Sequence, residues 1–201
     1  MKRFIAAICL LVFLSPVLNA QDISRAERAQ AVTYLAKTRA DLLAATRGLS
    51  ERQWNFKPET NRWSVAEVTE HLAASEDLMM GMVQDKVMKA PARTEGEDVK
   101  ALDAFILQKI PDRSNKVQAP EPLRPGNRFG SPKESLKHFR ESRAKTIRFL
   151  KDTKDLRQHA ADSPFGKKFD AYQWMLVIAA HTDRHLQQLN EVKADPNFPK
   201  K

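Results

Sequence analysis

The chain is poor in cysteine and in glycine, and both shortages limit its fold and its chemistry. One of its 201 residues is cysteine, and 6 are glycine. The cysteine, Cys9, lies near the N-terminus. No disulfide can therefore form within the chain. Once the N-terminal segment that contains Cys9 is removed, as predicted below, a protein metal site must use histidine, aspartate or glutamate. Because runs of β-branched residues are also few, long helices are expected.

Long hydrophobic runs are scarce too, and the one that is present follows a short basic N-terminus. It is an uninterrupted apolar run of eleven residues, Phe4–Leu14. This run is too short to span a bilayer as a helix, so we predict an export signal over residues 1–20 that is cleaved after Ala20. Residues 21–201 are then expected to form a periplasmic or secreted domain without stable membrane insertion. An uncleaved anchor is the alternative, because Leu18 is less suitable than alanine before the cut.

The net charge is +9, with 34 Lys and Arg against 25 Asp and Glu. The charges are scattered and mixed in sign. Arg143, Lys145 and Arg148 form one local cluster, which is expected to be a solvent-exposed helix face. Nucleic-acid binding would need a basic stripe with interleaved aromatic residues or a recognisable module, and the sequence has neither. We therefore predict no nucleic-acid partner.

Four segments begin with a helix-capping signature, in which a side-chain acceptor is followed three residues later by Glu or Gln. Each precedes an apolar pattern with a period near 3.6 residues, as in the stripe that includes Val68, Leu72 and Leu78. These patterns predict an all-α four-helix bundle. The predicted helices, with their capping pairs, are Ser24–Arg47 (Ser24 and Glu27), Ser64–Lys89 (Ser64 and Glu67), Ser131–Lys151 (Ser131 and Glu134) and Asp170–Val192 (Asp170 and Gln173).

A long proline-rich crossover is predicted between the second and third helices. Val99–Ile110 has the pattern of a short extra helix. The proline-rich segment, residues 111–125, follows it and contains four prolines that exclude regular helix. Such a connection joins helices that are not antiparallel neighbours. It is expected to be a tethering loop, and a lid over a site is the alternative.

Three histidines fall in or beside the apolar stripes of two predicted helices. His71 lies on the second helix, and the H-x-x-x-H spacing places His181 and His185 one turn apart on the fourth. Three neutral imidazoles that converge in a bundle would form a metal site with open coordination positions. A lone histidine on such a face is more often a core residue, so the pattern leaves both interpretations open. His138 and His159 are expected to lie outside the site.

Two tryptophans lie near these histidines in sequence, and both are given structural roles. Trp63 precedes the Ser64 cap, where an apolar residue can act as a hydrophobic staple. Trp174, seven residues before His181, is expected to pack in the core rather than form the floor of a pocket.

Three stretches carry a resemblance to a known family. They are L-S-E-R-Q-W-N-F-K-P (Leu49–Pro58), R-W-S-V-A-E-V-T-E-H-L (Arg62–Leu72) and D-A-Y-Q-W-M-L-V-I-A-A-H-T-D-R-H (Asp170–His185). Together they resemble the DinB-like (DinB/YfiT-like) family of metal-binding four-helix bundles. The resemblance implies a divalent metal, often zinc or nickel, with Zn²⁺ preferred here, held by His71, His181 and His185. It also implies a thiol co-substrate in some members, and a homodimer as one assembly.

Several functional hypotheses stay open. The first is a metal-dependent hydrolase or transferase that acts on an unidentified small molecule. Hydrolysis would want a general base near the metal, and Glu67, Glu70 and Asp183 are poorly placed for this on the two ligand helices. Thiol transfer conflicts with export, because an exported protein meets little reduced low-molecular-weight thiol. The alternatives are a non-catalytic metal- or small-ligand-binding bundle protein and a bundle that a metal only stabilises.

Overall fold

Six α-helices and one short β-hairpin form the described part of the chain, which is residues 22–93 and 96–200 of a computed structural model. The predicted export signal, residues 1–20, lies outside the described residues. None of the helices within those ranges is long and apolar enough to cross a membrane. The elements are α1 (Arg25–Thr46), α2 (Glu51–Asn55), α3 (Val65–Asp85), α4 (Val99–Lys109), α5 (Pro132–Asp152), β1 (Ala160–Asp162), β2 (Lys168–Asp170) and α6 (Ala171–Lys193).

The four long helices α1, α3, α5 and α6 pack as a bundle. Helix α1 contacts α5 and α6, and α3 contacts the same two helices. Apolar side chains from these helices meet in the interior, where Leu35, Phe139 and Ile178 are fully buried. The predicted all-α four-helix bundle is therefore confirmed.

Capping bonds fix where the long helices begin. At α1, α3 and α6 the cap side chain accepts a backbone N–H three residues on, and the Glu or Gln at that position accepts the N–H of the cap. At α5, Ser131 accepts the N–H of Glu134. The same signature at Ser50 and Gln53 begins α2. Helix α2 was not predicted, because five residues are too few to show a helical period.

The hairpin was also missed. Strands β1 and β2 pair in antiparallel register with Ala160 opposite Asp170. Three-residue strands are too short to show alternation between polar and apolar residues. The hairpin matters for the bundle because Asp170 ends β2 and caps α6, so it sets the start of that helix.

Two expectations about burial were wrong. Leu78 is 49% exposed, because it lines an open cleft beside the proline-rich segment rather than the core. Arg143 is fully buried instead of belonging to a solvent-exposed cluster, because Glu76 accepts two hydrogen bonds of 2.8 Å from its guanidinium group. This pair joins α5 to α3 inside the bundle, and no local pattern marks it.

The chain between α3 and α5 runs beside α6. Helix α4 forms close to the range predicted for it and packs against α6. In the proline-rich segment, the backbone carbonyls of Asp112 and Asn115 accept hydrogen bonds from the Arg184 guanidinium. This segment is therefore fixed to the helix that carries two of the three histidines.

Candidate metal centre

His71, His181 and His185 converge between α3 and α6. The Nε2 atom of His71 lies 3.3 Å from Nε2 of His181 and 3.1 Å from Nε2 of His185. One ligand atom from each of the three residues lies within 4.8 Å of the other two. His71 is buried, whereas His181 and His185 are half-buried. The two helices thus bring together residues that are 110 positions apart in sequence.

In the rings of His71 and His185, a hydrogen bond at Nδ1 leaves Nε2 facing the other histidines. Nδ1 of His71 lies 2.9 Å from the carbonyl oxygen of Leu123, and Nδ1 of His185 lies 2.8 Å from Oε1 of Gln188. Both partners are acceptors, so each Nδ1 carries the proton and each Nε2 carries a free lone pair. This is the arrangement that orients histidine ligands in metal sites. Nδ1 of His181 is buried and has no hydrogen-bond partner among the described residues.

The cluster fits a divalent metal by geometry and by donor chemistry. Zinc–nitrogen bonds of 2.0–2.1 Å in a tetrahedral arrangement separate the nitrogen atoms by about 3.3 Å. The two Nε2 separations from His71, 3.3 Å and 3.1 Å, are close to this value. Lone pairs that face one another at this distance repel unless a cation or a proton lies between them. Three such donors would leave at least one coordination position open.

Burial lowers the pKa of all three imidazoles. For His71, burial outweighs the hydrogen bond to the Leu123 carbonyl, which acts in the opposite direction. The pKa of His181 is lowered well below its usual value, first by burial and then by the neighbouring His185 and His71. Burial, followed by the charge of His71, lowers the pKa of His185 to about 3. The rings are therefore neutral near pH 7, which is the form that binds a metal.

Trp63 covers one side of the cluster. Its ring lies 4.9 Å from the His71 ring and stacks over the His185 ring at 6.3 Å, with an angle of 21° between the planes. The sequence predicted a hydrophobic staple at Trp63 but not its contacts with the His71 and His185 rings. Trp174 is buried against Phe169 in the core, as expected.

The carboxylates on the two histidine-bearing helices are engaged elsewhere. Glu67 forms the capping box with Ser64 and an ion pair with Lys57. Asp183 accepts a hydrogen bond from the Tyr34 hydroxyl. Both acids are predicted from the sequence to be poorly placed as general bases, and both are engaged by other partners in the structure.

Glu70 has a structural role that the sequence did not reveal. Its carboxylate accepts backbone N–H bonds of 2.9, 3.0 and 2.9 Å from Gly126, Asn127 and Arg128. This anchors the turn that follows the proline-rich segment, and so supports the position of the Leu123 carbonyl at His71. A signal for such an anchor is absent from local sequence, since the partners are 56 to 58 residues apart.

His138 and His159 lie away from the cluster. Nε2 of His138 pairs with the Asp77 carboxylate at 2.5 Å, and both side chains are more than a third exposed. Nδ1 of His159 is bonded to the carbonyl of Ala90. The structure therefore separates these two histidines from the three that converge.

The fold and the histidine cluster together define a helical-bundle protein suited to holding a divalent metal. A family model described as the DinB superfamily matches residues 34–189, and the chain belongs to this superfamily.

Two proteins of Bacillus subtilis resemble the chain. It is 32% identical over 150 residues to the uncharacterized protein YuaE of strain 168, a match that covers 73% of this chain and 87% of YuaE. The structure of YfiT, described as a probable metal-dependent hydrolase with an unusual four-helix bundle topology, is similar, with a TM-score of 0.53 and 16% sequence identity. This match covers 85% of this chain and 88% of YfiT, and it supports the fold.

Proposed function

We propose that this protein is a metal-dependent hydrolase whose divalent metal is held by His71, His181 and His185. The main support is the convergence of the three imidazoles, whose Nε2 atoms lie at separations suited to a metal. The description of YfiT as a probable metal-dependent hydrolase supports the choice of reaction class. Zn²⁺ is the preferred ion and Ni²⁺ the alternative, because neutral imidazole suits both.

The residues around the centre would orient the ligands and limit access of water. A divalent metal supplies Lewis-acid activation of a bound water or of a substrate oxygen. Leu123 and Gln188 hold the rings of His71 and His185 through their Nδ1 protons. Trp63 covers the side where it contacts both rings. Because the acids of the two helices are engaged by other partners, the reaction would rely on the metal rather than on a carboxylate base from these helices.

Elemental analysis by inductively coupled plasma mass spectrometry tests the site. We expect about one Zn²⁺ or Ni²⁺ per chain in the purified wild-type protein. The double variant His181→Ala/His185→Ala should fall to background, because it retains one imidazole. The matched control is His138→Ala, which removes a histidine outside the cluster and should keep the metal. Metal retained in the double variant, or lost in the control, would contradict the assignment.

A screen of ester, amide and thiol substrates with the metal-loaded protein tests the reaction class. Hydrolysis of an ester or amide that is lost in the double variant would support the hydrolase. Transfer to a thiol would instead support a metal-dependent transferase.

The second candidate is a non-catalytic metal- or small-ligand-binding bundle protein. It is favoured by one observation, which is that Glu67, Glu70 and Asp183 all have other partners. Bound metal without turnover of any screened substrate would support this candidate over the enzyme.

We also propose that the protein is exported and works in the periplasm or outside the cell, without nucleic-acid partners. The basic start and apolar run of residues 1–20 support export. The N-terminal sequence of the protein recovered from the native host tests this, with cleavage after Ala20 expected. A homodimer is a further proposal, and sedimentation velocity would distinguish it from a monomer.

A further inference from the structure

The Ser75 hydroxyl on α3 points at the histidine cluster. Its Oγ lies 3.4 Å from Nε2 of His71, one turn earlier, and the residue is 1% exposed. Because Nδ1 of His71 is bonded to the Leu123 carbonyl, Nε2 is the acceptor and the serine hydroxyl is the donor. Within residues 22–93 and 96–200, this nitrogen is the one polar partner of the Ser75 hydroxyl.

This orientation differs from that of most other buried hydroxyls in the described helices, although Ser142 donates to the Asp77 carboxylate and Thr146 also contacts Glu76. Serine and threonine within a helix commonly bond to the backbone carbonyl four residues earlier. Six buried residues of this protein do so: Thr38, Thr46, Thr69, Ser135, Thr146 and Thr182. The equivalent acceptor for Ser75 is the carbonyl of His71, yet its hydroxyl lies against the ring instead. Ordinary helix geometry therefore does not account for its position.

The lone pair on Nε2 of His71 cannot serve both Ser75 and a metal. A metal bound to this nitrogen takes the acceptor away, so the buried hydroxyl must donate either to the His71 carbonyl or to a new acceptor beside the metal. A metal with an open coordination position would bind a water or a small anion there, and this bound molecule could accept the hydrogen bond. Ser75 lies beside the ligand atoms, where it can reach such a molecule.

We propose that the Ser75 hydroxyl donates a hydrogen bond to the water or small anion that takes the open coordination position. The inference rests on the metal site proposed above and is independent of the reaction. A donor at this place favours an anionic oxygen or nitrogen ligand over a neutral one, because hydrogen bonds to charged acceptors are the stronger kind. The site is therefore expected to prefer substrates that carry a negatively charged oxygen or develop one during the reaction.

Azide binding to the Co²⁺-substituted full-length protein tests the proposal. The visible absorption of the bound Co²⁺ reports azide at the metal. We expect Ser75→Ala to raise the Kd of azide roughly tenfold, the loss of about one hydrogen bond to a charged group. The Kd of Co²⁺ should stay within about twofold of wild type, since three imidazoles remain. Ser135→Ala is the matched control, because it removes a buried helical hydroxyl whose acceptor is the Ser131 carbonyl, and it should change neither constant.

A second variant keeps the test decisive if Ser75→Ala does not fold. Ser75→Cys keeps a side chain of similar size but replaces the hydroxyl with a weak hydrogen-bond donor, so it should also raise the Kd of azide. Ser135→Cys should leave the Kd of azide unchanged. An unchanged azide affinity in Ser75→Ala, or in a folded Ser75→Cys, would overturn the proposal. Loss of Co²⁺ binding in Ser75→Ala would overturn it too, because Ser75 would then be a metal ligand.

The outcomes also separate this inference from the proposed reaction. A wild-type protein that binds no Co²⁺ would overturn both. Unchanged Co²⁺ binding with weakened azide binding in Ser75→Ala, without hydrolysis of any screened substrate, would support the role of Ser75 and count against the hydrolase.

Discussion

Two buried polar clusters in this bundle differ in how far the chain itself supplies partners for their polar groups. In the Arg157 cluster, the guanidinium donates to the carboxylates of Glu27, Asp103 and Asp170 at 2.7, 2.6 and 3.0 Å. Opposite charges meet there, and both terminal guanidinium nitrogens of Arg157 have carboxylate partners within the protein. In the histidine cluster, three groups of the same kind face one another, and Nδ1 of His181 has no partner among the described residues.

The difference separates a structural cluster from a ligand site. Buried polar groups are stable when their partners are supplied by the chain itself. The Arg157 cluster meets this condition and joins α1, α4 and the start of α6. The histidine cluster does not meet it within the described residues, because its ring nitrogens face one another and Nδ1 of His181 has no partner there. Burial of three like imidazoles that face one another, rather than of oppositely charged groups, is therefore the feature that distinguishes the candidate metal centre.

The largest loss of stability is expected from breaking the Arg157 cluster. Arg157→Ala leaves Asp103 and Asp170 as buried carboxylates with fewer partners, and should lower the free energy of unfolding by about 3–5 kcal/mol. Urea denaturation followed by circular dichroism measures this. Arg148→Ala, which removes an exposed arginine from α5, is the control and should change stability by less than about 0.5 kcal/mol. A loss in Arg157→Ala no larger than in the control would show that the cluster is not a structural unit.

A change in pH should affect the two clusters with opposite sign. The pKa of His185 is lowered from 6.5 to about 3 in the folded protein, so the unfolded state takes up the proton first as pH falls. In metal-free protein this histidine should therefore lower stability by about 2 kcal/mol between pH 7 and pH 5. Burial raises the pKa of Asp170 to about 6 against the opposing charge of Arg157. The stability that this carboxyl contributes is present at low pH and is lost as pH rises through 6.

The variant His185→Gln isolates the contribution of His185 to the loss of stability between pH 7 and pH 5. Its stability at pH 5 relative to pH 7, measured by urea denaturation with a chelator present, should be higher than that of wild type by about 2 kcal/mol. Identical pH dependence in the two proteins would show that His185 is not held neutral by its surroundings.

The smallest effect is expected at the exposed His138–Asp77 pair. His138→Ala should change the free energy of unfolding by no more than about 1 kcal/mol, because exposed ion pairs contribute little. Thermal unfolding measures this. A loss comparable to that of Arg157→Ala would contradict the distinction between buried and exposed polar pairs.

Local sequence predicted the helices well. The starts of α1, α3, α5 and α6 are fixed by capping residues and by the period of the apolar residues that follow, and both signals act within one or two turns. The three histidines were found by the same periodicity, together with the family resemblance. Helix α2 and the hairpin were missed because they are too short to repeat any pattern.

The contacts that complete the site could not be predicted from the sequence. The Leu123 carbonyl at His71 and the anchor of Glu70 on the turn at 126–128 pair residues more than 50 positions apart. The burial of Arg143 likewise depends on Glu76 of another helix. The period of the apolar residues indicates which face of a helix is buried. It does not indicate which polar group of another segment will lie against that face.

The sequence by itself determined where the long helices begin, which faces they bury and which three imidazoles lie on those faces, because these properties depend on neighbours within a few residues. The contacts of Gln188 with His185 and of Ser75 with His71 are made within one turn of a single helix. The tertiary structure alone decided that the Nε2 atoms of the three histidines meet and that the Leu123 carbonyl holds the ring of His71. Those outcomes depend on how α3 and α6 pack and on where the proline-rich segment crosses them, and such long-range distances are set by the closing of the whole bundle.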